Sequence, residues 1–361
     1  MYSNSSWCIL HLDFPSEREA EFDVIQRLKR KETQRRVAEG NFNFRGAKIY
    51  DINSSKVYGI WIGKRNIINL DFYEATIKGD AQFDDAVIKE HALFSSATIE
   101  GEVLFGEAII GGAVFFEAAN LKRGAFFAGA NIGDAINFEQ ATVKNGVTFR
   151  NSLIKDDVWF AAAKIGTCLA FENATVRGRA TFTGASVAGE CWFDGAKFEG
   201  EASFDFAAIP GSLSFRNATF NLDAAKESAC RAAKQNCERR GAKEEANYYF
   251  YQEMKARRRQ KTQPIRALEK LLIQYTMGYG AYPSRLAATW LLAALISGIL
   301  LGLSSGEIAN IGLGFVGAFV PGFAISRELT GVAEWVAGVE TVIGTFLWAA
   351  FIAVFSRKYM K

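Results

Sequence analysis

The chain has 361 residues, enough for more than one domain with its own apolar core. Hydrophobic residues make up 49% of it and charged residues 22%, which excludes a disordered or collagen-like chain. The formal net charge of +3 gives no overall nucleic-acid signature and argues against an acidic surface that mimics DNA. The unusual residue is Phe, with 30 copies against 2 His and 5 Pro.

The cysteines and histidines limit the chemistry that the chain could support. The 5 Cys form no CxxC pair, and their odd number favours neither a disulfide framework nor a zinc site. The 2 His are far apart in sequence and have no motif around them, and the sequence has no phosphate loop and no nucleophile motif. We therefore expect no enzyme, no metal and no cofactor, and a reduced, cytosolic setting for most of the chain.

The N-terminal segment, residues 1–40, predicts a helix from Ser16 to Gly40. Pro15 precedes it, Ser16 and Glu19 have the spacing of a capping box, and Gly40 can end it. A repeat domain needs its open end covered, so this helix is a candidate cap for the domain that follows. A basic helix with one solvated face is the alternative.

An eleven-residue repeat dominates residues 41–222. Phe recurs every eleven residues without a miss, Ala follows three residues later in all units but one, and an apolar residue follows five residues later. The unit A-x-F-x-x-A-x-I-x-x-x is a five-residue step and a six-residue step, each with the alternation of a short strand. The recurring residues are Phe72, Phe83, Phe94, Phe105, Phe116, Phe127, Phe138, Phe149, Phe160, Phe171, Phe182, Phe193, Phe204 and Phe215.

A coil of short strands that turns at each step can hold this pattern, with the Phe side chains stacked along one internal ladder. The sequence from Asn41 to Phe220 resembles the pentapeptide-repeat family in its Phe-rich, eleven-residue form. That resemblance implies a right-handed quadrilateral β-helix in which the Phe and the preceding small residue face inward. With two units per coil it would have about six or seven coils. Residues 50–70 do not fit the grid and predict distorted opening coils or an insertion.

Residues 223–284 predict a basic helical linker. Two helices are expected, over 223–240 and 242–259, with Gly241 between them. The stretch 223–285 holds fourteen Lys and Arg against seven Asp and Glu. Such a cluster could indicate nucleic-acid binding, but its position just before an apolar segment favours a membrane boundary, so no nucleic-acid partner is expected.

The last part of the chain, 285–361, predicts a membrane domain with two spans. Residues 286–305 carry no charge, and residues 332–355 carry only two acids, so both are long and apolar enough to cross a bilayer. Basic residues precede the first span and follow the second. By the positive-inside rule, both termini and the β-helix are then cytoplasmic. We therefore predict a multi-pass protein of the cell membrane, with lipid as a partner.

Between the spans, residues 308–326 are apolar, uncharged and rich in Gly. A third spanning helix would break the charge topology. The alternative is a re-entrant loop, which membranes tolerate only where protein buries it or where it lines a pore. Span, re-entrant loop and span is the layout of two-helix ion-channel pore domains.

Residues 331–361 resemble the inner helix of the ion-channel domain found at the C-terminus of some pentapeptide-repeat proteins, and residues 241–259 resemble the connector in those proteins. The resemblance implies a homo-oligomer, by analogy a tetramer, because two spans alone cannot enclose a conducting path.

The filter-like residues of that domain would be Pro321, Gly322, Phe323 and Ala324. A potassium filter needs a T-x-G-[YF]-G-D type of loop, whose carbonyl oxygens replace the hydration shell of the ion. Here Ala324 stands in the place of the second Gly, and the Thr and the acidic residue are absent. This argues against potassium selectivity, and leaves a non-selective pore or a channel layout without conduction.

Glu340 lies within the second span, where an acidic side chain is costly and faces protein or water. It either lines a pore and binds a cation, or makes a hydrogen bond that fixes a contact between helices. The predicted function is an oligomeric, channel-like membrane protein with a cytosolic β-helix and a degenerate potassium-channel type of pore. The alternative is a non-conducting, membrane-anchored scaffold whose β-helix binds a cytosolic protein.

Overall fold

The computed structural model describes residues 9–13, 21–49, 59–61, 66–276, 278–306, 309–320 and 331–359. The chain divides into two compact units, Met1–Tyr249 and Phe250–Lys361. The helices are α1 (Phe22–Ala38), α2 (Asp223–Arg239), α3 (Lys243–Arg259), α4 (Ile265–Glu269), α5 (Pro283–Ser305), α6 (Ala309–Phe319) and α7 (Val332–Tyr359). A π-helical turn covers Lys270–Tyr275, and short 3-10 turns cover Ile9–His11 and Gly278–Gly280.

The first unit is a β-solenoid built from four parallel sheets of seven or eight very short strands. One sheet contains Lys48–Ile49, Thr76–Ile77, Thr98–Ile99, Asn120–Leu121, Thr142–Val143, Lys164–Ile165 and Ser186–Val187. A second contains Gly59–Trp61, Asp80–Gln82, Val103–Leu104, Ala125–Phe126, Val147–Thr148, Leu169–Ala170, Cys191–Trp192 and Leu213–Ser214. A third contains Asn66–Ile67, Val87–Ile88, Ile109–Ile110, Asn131–Ile132, Leu153–Ile154, Thr175–Val176, Lys197–Phe198 and Thr219–Phe220. The fourth contains Leu70–Asp71, Ala92–Leu93, Val114–Phe115, Ile136–Asn137, Val158–Trp159, Ala180–Thr181 and Ala202–Ser203.

The register of these sheets confirms the β-helix that the repeat predicts. Val103 pairs with Ala125, 22 residues later, and this spacing holds along the solenoid from Leu70 onward, so each coil consists of two eleven-residue units. The opening coil differs, because Lys48 pairs with Thr76, 28 residues later. The six additional residues account for the loss of the repeat grid over residues 50–70.

The Phe side chains form two stacked columns inside the solenoid, where the sequence predicted a single ladder. Rings on successive coils stack face to face, as Phe116 does on Phe138 at 4.8 Å between centroids. Rings on successive units meet edge to face, as Phe127 meets Phe138 at 6.2 Å and 89°. Two columns follow from two units per coil, and their edge-to-face contact is a favoured arrangement for aromatic rings. All fourteen predicted Phe are at most 5% exposed, and Phe44 extends one column by stacking on Phe72.

A tight turn follows each Phe and gives the solenoid its corners. In one of them the backbone N–H of Ala97 donates to the carbonyl oxygen of Phe94 at 3.0 Å, and Ser96 between them has a φ of 59°. A positive φ at this place is the signature of a type II turn, which favours Gly or Asn. The other corner residues with a positive φ that are not Gly are Glu74, Asp85, Glu107, Ala118, Gln140, Asn151, Ala162, Asn173, Phe206 and Asn217.

Both ends of the solenoid are closed by polar side chains of helices that flank it. The buried ammonium of Lys29 in α1 donates to the carbonyl oxygen of Lys48 on the first coil at 2.9 Å. At the other end, the amide of Asn236 in α2 donates to the carbonyl oxygens of Ile209 and Gly211 at 2.7 and 2.8 Å. The edge groups of a sheet need such partners because an unpaired buried amide or carbonyl is costly.

Two predictions about the flanking helices have different outcomes. The linker helices predicted over 223–240 and 242–259 are present as α2 and α3, and Gly241 between them has a φ of 75°. Helix α1 begins at Phe22, later than predicted, and the proposed capping box of Ser16 and Glu19 lies outside the described residues.

Truncating a ring in the middle of a column should unfold the solenoid at a much lower temperature. We expect Phe138→Ala to cost about 3–5 kcal/mol of stability, because the change opens a cavity in a dry interior. Lys144→Ala removes an exposed side chain and should change stability by less than about 0.5 kcal/mol. Thermal unfolding of the full chain, followed by the β-sheet signal in circular dichroism, measures both. Equal midpoints for the two variants would contradict the stacked-column account.

Relieving one strained corner should stabilise the solenoid. Ala162 is exposed and has a φ of 55°, a conformation that Asn tolerates better than Ala. The equivalent corners already carry Asn at 151, 173 and 217. We expect Ala162→Asn to raise stability by about 0.5–1 kcal/mol, measured in the same unfolding experiment. The matched change one residue later, Ala163→Asn, places an amide at a buried position and should lower stability; a gain from both would refute the corner argument.

Candidate functional site

The second unit contains two helices that are long and apolar enough to cross a membrane. They cover Pro283–Ser304 in α5 and Val332–Phe355 in α7, close to the predicted spans. Their outer faces carry large apolar side chains, among them Leu292 at 59% exposed and Trp335 at 79% exposed. A helix that is apolar all round needs to be covered by lipid or by other protein.

Helix α6 occupies the first part of the segment 308–326, in which a re-entrant loop was predicted. Its Gly residues serve packing: a Cβ placed on Gly314 would lie 2.7 Å from the Cα of Gly298 in α5. The two backbones are therefore almost in contact, as small residues permit in membrane helix pairs. A helix also satisfies its own backbone groups, which an apolar surrounding demands.

Two Trp side chains hold the carboxyl end of α6. The indole N–H of Trp290 in α5 donates to the carbonyl oxygen of Ala318, and that of Trp348 in α7 donates to the carbonyl oxygen of Phe319, both at 2.7 Å. The last carbonyl groups of any helix lack partners within the helix. Here one donor comes from each long helix, so the end of α6 is fixed between them.

The carboxyl group of Glu340 lies in the contact between the three helices. The residue is 5% exposed, and a Cβ on Gly317 of α6 would come within 2.9 Å of its Oε1. Neither carboxyl oxygen has a hydrogen bond of ordinary geometry among the described residues, and the hydroxyl of Ser297 in α5 is the polar group close enough to interact with it. The side chain faces a cavity of about 410 Å³ whose other walls are apolar apart from Ser297 of α5.

Such a site could hold a cation, a proton or a hydrogen-bond donor from another molecule. A buried carboxyl group without a partner is costly, so its environment favours any of these over an empty cavity. Among the residues that the structure describes, no group of three or more His, Cys, Asp and Glu is arranged to bind a metal ion.

The structure places some of the sequence-predicted site residues, and others lie outside the residues that it describes. Glu340 is placed as described above, and the fourteen Phe are all inside the solenoid. The filter-like residues Pro321, Gly322, Phe323 and Ala324 lie outside the described residues, as does the rest of 321–330.

Sequence reasoning missed the two Trp residues and Gly298. An indole N–H in an apolar span needs an acceptor, and the available acceptors are carbonyl groups at helix ends. The need of Trp290 and Trp348 for carbonyl acceptors was therefore the sequence signal for the end of a third helix close to both.

Residues 72–120 and 162–208 match the family model of Pentapeptide repeats (9 copies). These two stretches lie within the solenoid and share its register of two units per coil. No curated protein and no solved structure matches this chain. The β-solenoid therefore contains pentapeptide repeats over these two stretches, and it is followed by two apolar helices that could cross a membrane.

Proposed function

We propose that this chain is one subunit of a channel-like membrane protein, in which α5 and α7 span the bilayer and α6 is a short helix between them. The observation that carries the proposal is the pair of hydrogen bonds from Trp290 and Trp348 to carbonyl groups at the carboxyl end of α6. Both bonds come from the long helices, so the last residues of α6 itself are fixed between them. A fixed backbone is what an ion path lined by carbonyl groups requires.

The dipole of α6 favours cations over anions at the carboxyl end of this helix. The carboxyl end of a helix carries the equivalent of about half a negative charge, because its last carbonyl groups point along the axis. The filter-like residues begin directly after it, at Pro321. In a ring of identical subunits, the ends of several such helices would attract cations to one axis. This segment departs from a potassium filter, because Ala324 replaces the second Gly and the Thr and the acidic residue are absent. These departures favour a pore without potassium selectivity.

Oligomerisation is part of the proposal because one subunit leaves too much apolar surface uncovered. Trp335, Val342 and Ile352 on α7 are each at least 60% exposed. Lipid can cover part of this surface and neighbouring subunits the rest. The proposed assembly is a tetramer of the cell membrane, with the solenoid and both termini in the cytoplasm, as the distribution of basic residues favours.

The alternative function is a membrane-anchored scaffold, and one face of the solenoid favours it. Leu93, Phe115 and Trp159 point outward from the same sheet and are only half-buried. Asn137 separates Phe115 from Trp159 in this column, and exposed apolar side chains rimmed by polar ones are typical of a surface that binds another protein. A cytosolic protein would be the partner.

Planar-bilayer recording of the purified full chain separates the two functions. We expect cation currents from the unchanged protein, and loss of current from Gly314→Leu because the added side chain would push α6 away from α5. The matched control is Gly312→Leu on the same helix, where a Cβ meets no atom within 4 Å, and this variant should conduct. Silent bilayers together with a monomeric mass in native mass spectrometry would refute the channel and favour the scaffold.

Neutralising the buried acid tests whether it contributes to conduction. We expect Glu340→Gln to keep the helix packing, because the two side chains have the same shape, and to lower the cation current several-fold through the lost charge. Conductance is measured in the same bilayers, and thermal unfolding in detergent checks the packing. An unchanged current would refute a contribution of the charge to conduction, and an unchanged current with a lower unfolding midpoint would assign Glu340 a structural role only.

A further inference from the structure

A second cavity of the Phe250–Lys361 unit lies between the end of α3 and the segment formed by α4 and the π-helical turn. Its volume is about 460 Å³. None of its lining residues is acidic, whereas five are cationic. The five are Lys255, Arg258, Arg259, Arg266 and Lys270.

Two of the lining side chains are buried with polar atoms that lack partners. Arg258 is 5% exposed, and its Nε has no hydrogen-bond partner among the described residues. Gln274 is 7% exposed; its Nε2 donates to the hydroxyl of Tyr251 at 3.2 Å, but its Oε1 has no partner in the described part of the chain. Leaving a buried donor and a buried acceptor unmet is costly, which distinguishes this cavity from a solvated basic surface.

The lining itself supplies no carboxylate to balance its cationic side chains. Glu269 in α4 is the acid closest in sequence to Lys270, but it pairs with Lys261 at 2.6 Å and does not line the cavity. An anion that enters the cavity therefore meets cationic side chains and no acidic one in its wall.

The segment that carries Lys270 and Gln274 also exposes apolar side chains. Leu268, Leu271 and Tyr275 are each about 60% exposed. Basic residues together with exposed Leu and Tyr on one short segment are typical of a helix that lies at a membrane surface. The π-helical turn itself is a rare geometry that often occurs at functional sites.

We propose that this cavity binds a phosphate group. Arg258, Arg266 and Lys270 donate hydrogen bonds to the phosphate oxygens, and Oε1 of Gln274 accepts one from a hydroxyl group of the same ligand. Arg suits this role because its planar group donates two parallel bonds to a phosphate. The exposed apolar side chains beside the cavity favour the head group of an anionic phospholipid as the source, and a soluble phosphate ester is the other source of the same chemistry.

Binding is measured with the purified full chain in a neutral detergent. The probes are short-chain phosphatidylglycerol, which carries a net negative charge and head-group hydroxyls, short-chain phosphatidylcholine, and glycerol 3-phosphate. Isothermal titration calorimetry should show phosphatidylglycerol binding at least about tenfold more tightly than phosphatidylcholine.

The variants separate a built site from general attraction to positive charge. Lys270→Gln and Arg266→Gln change cavity residues that are not buried, so the fold should survive, and each should weaken phosphatidylglycerol binding about tenfold. Arg257→Gln is the matched control, because Arg257 neighbours Arg258 on α3 but is exposed and outside the cavity lining. It should change binding by less than about twofold.

Each outcome decides a separate point. Glycerol 3-phosphate binding as tightly as the lipid would keep the phosphate site and overturn the lipid source. Equal weakening by Arg257→Gln and Lys270→Gln, or no binding of any probe, would overturn the site itself. None of these measurements depends on ion conduction, so the failure of the channel proposal would leave this test unaffected.

Discussion

Stacking of Phe rings is the interaction on which the solenoid depends. A coil of two-residue strands is too narrow for a layered core, so its interior holds one ring and a few small or aliphatic side chains per unit. Because Phe138 stacks on Phe116 below it and Phe160 above it, each coil is stabilised mainly by its neighbours. The same stacking sets the spacing of 22 residues, and with it the place of every corner. The strained corners, such as Ala162, persist because the columns on both sides fix the backbone there.

The need to satisfy backbone polar groups is a constraint that each unit meets separately, although the two units differ in architecture. A solenoid ends in sheet edges, and here Asn236 and Lys29 supply the partners. A short helix between two apolar helices ends in bare carbonyl groups, and here Trp290 and Trp348 supply the donors. In each case side chains from flanking helices do what water does at an exposed end. These are single positions outside any repeat, so the loss of one is not compensated by its neighbours.

The solenoid was predictable from the sequence because its signal recurs fourteen times, and the two long apolar helices because length and apolar composition suffice to predict them. Two units per coil were already implied by the resemblance, but the single ladder was wrong, because the rings of alternate units form separate columns that meet edge to face. Helix α6 was missed for a different reason. Gly312, Gly314 and Gly317 have low helix propensity, but the close approach to Gly298 and Glu340 outweighs that propensity. The basic cavity could not be predicted from the sequence either. The sequence shows the cluster of basic residues, but it does not show that Arg258 is buried while Arg257 is exposed.

The basic cavity and the first long helix share one hydrogen-bonding group. The hydroxyl of Tyr251 accepts from Gln274, which lines the cavity, and from Arg285 near the start of α5 at 3.3 Å. The guanidinium of Arg285 also lies 5.3 Å from the Tyr251 ring and 5.0 Å from the Tyr282 ring. A ligand that takes up the free acceptor of Gln274 would restrain its amide and thereby strengthen the contact between Tyr251 and Arg285. When the cavity is occupied, Arg285 at the beginning of α5 would bind a Tyr251 hydroxyl that is already fixed. Because binding a fixed partner costs less conformational entropy, the beginning of α5 would become better ordered. Three side chains, those of Gln274, Tyr251 and Arg285, therefore connect the proposed phosphate site to the beginning of α5.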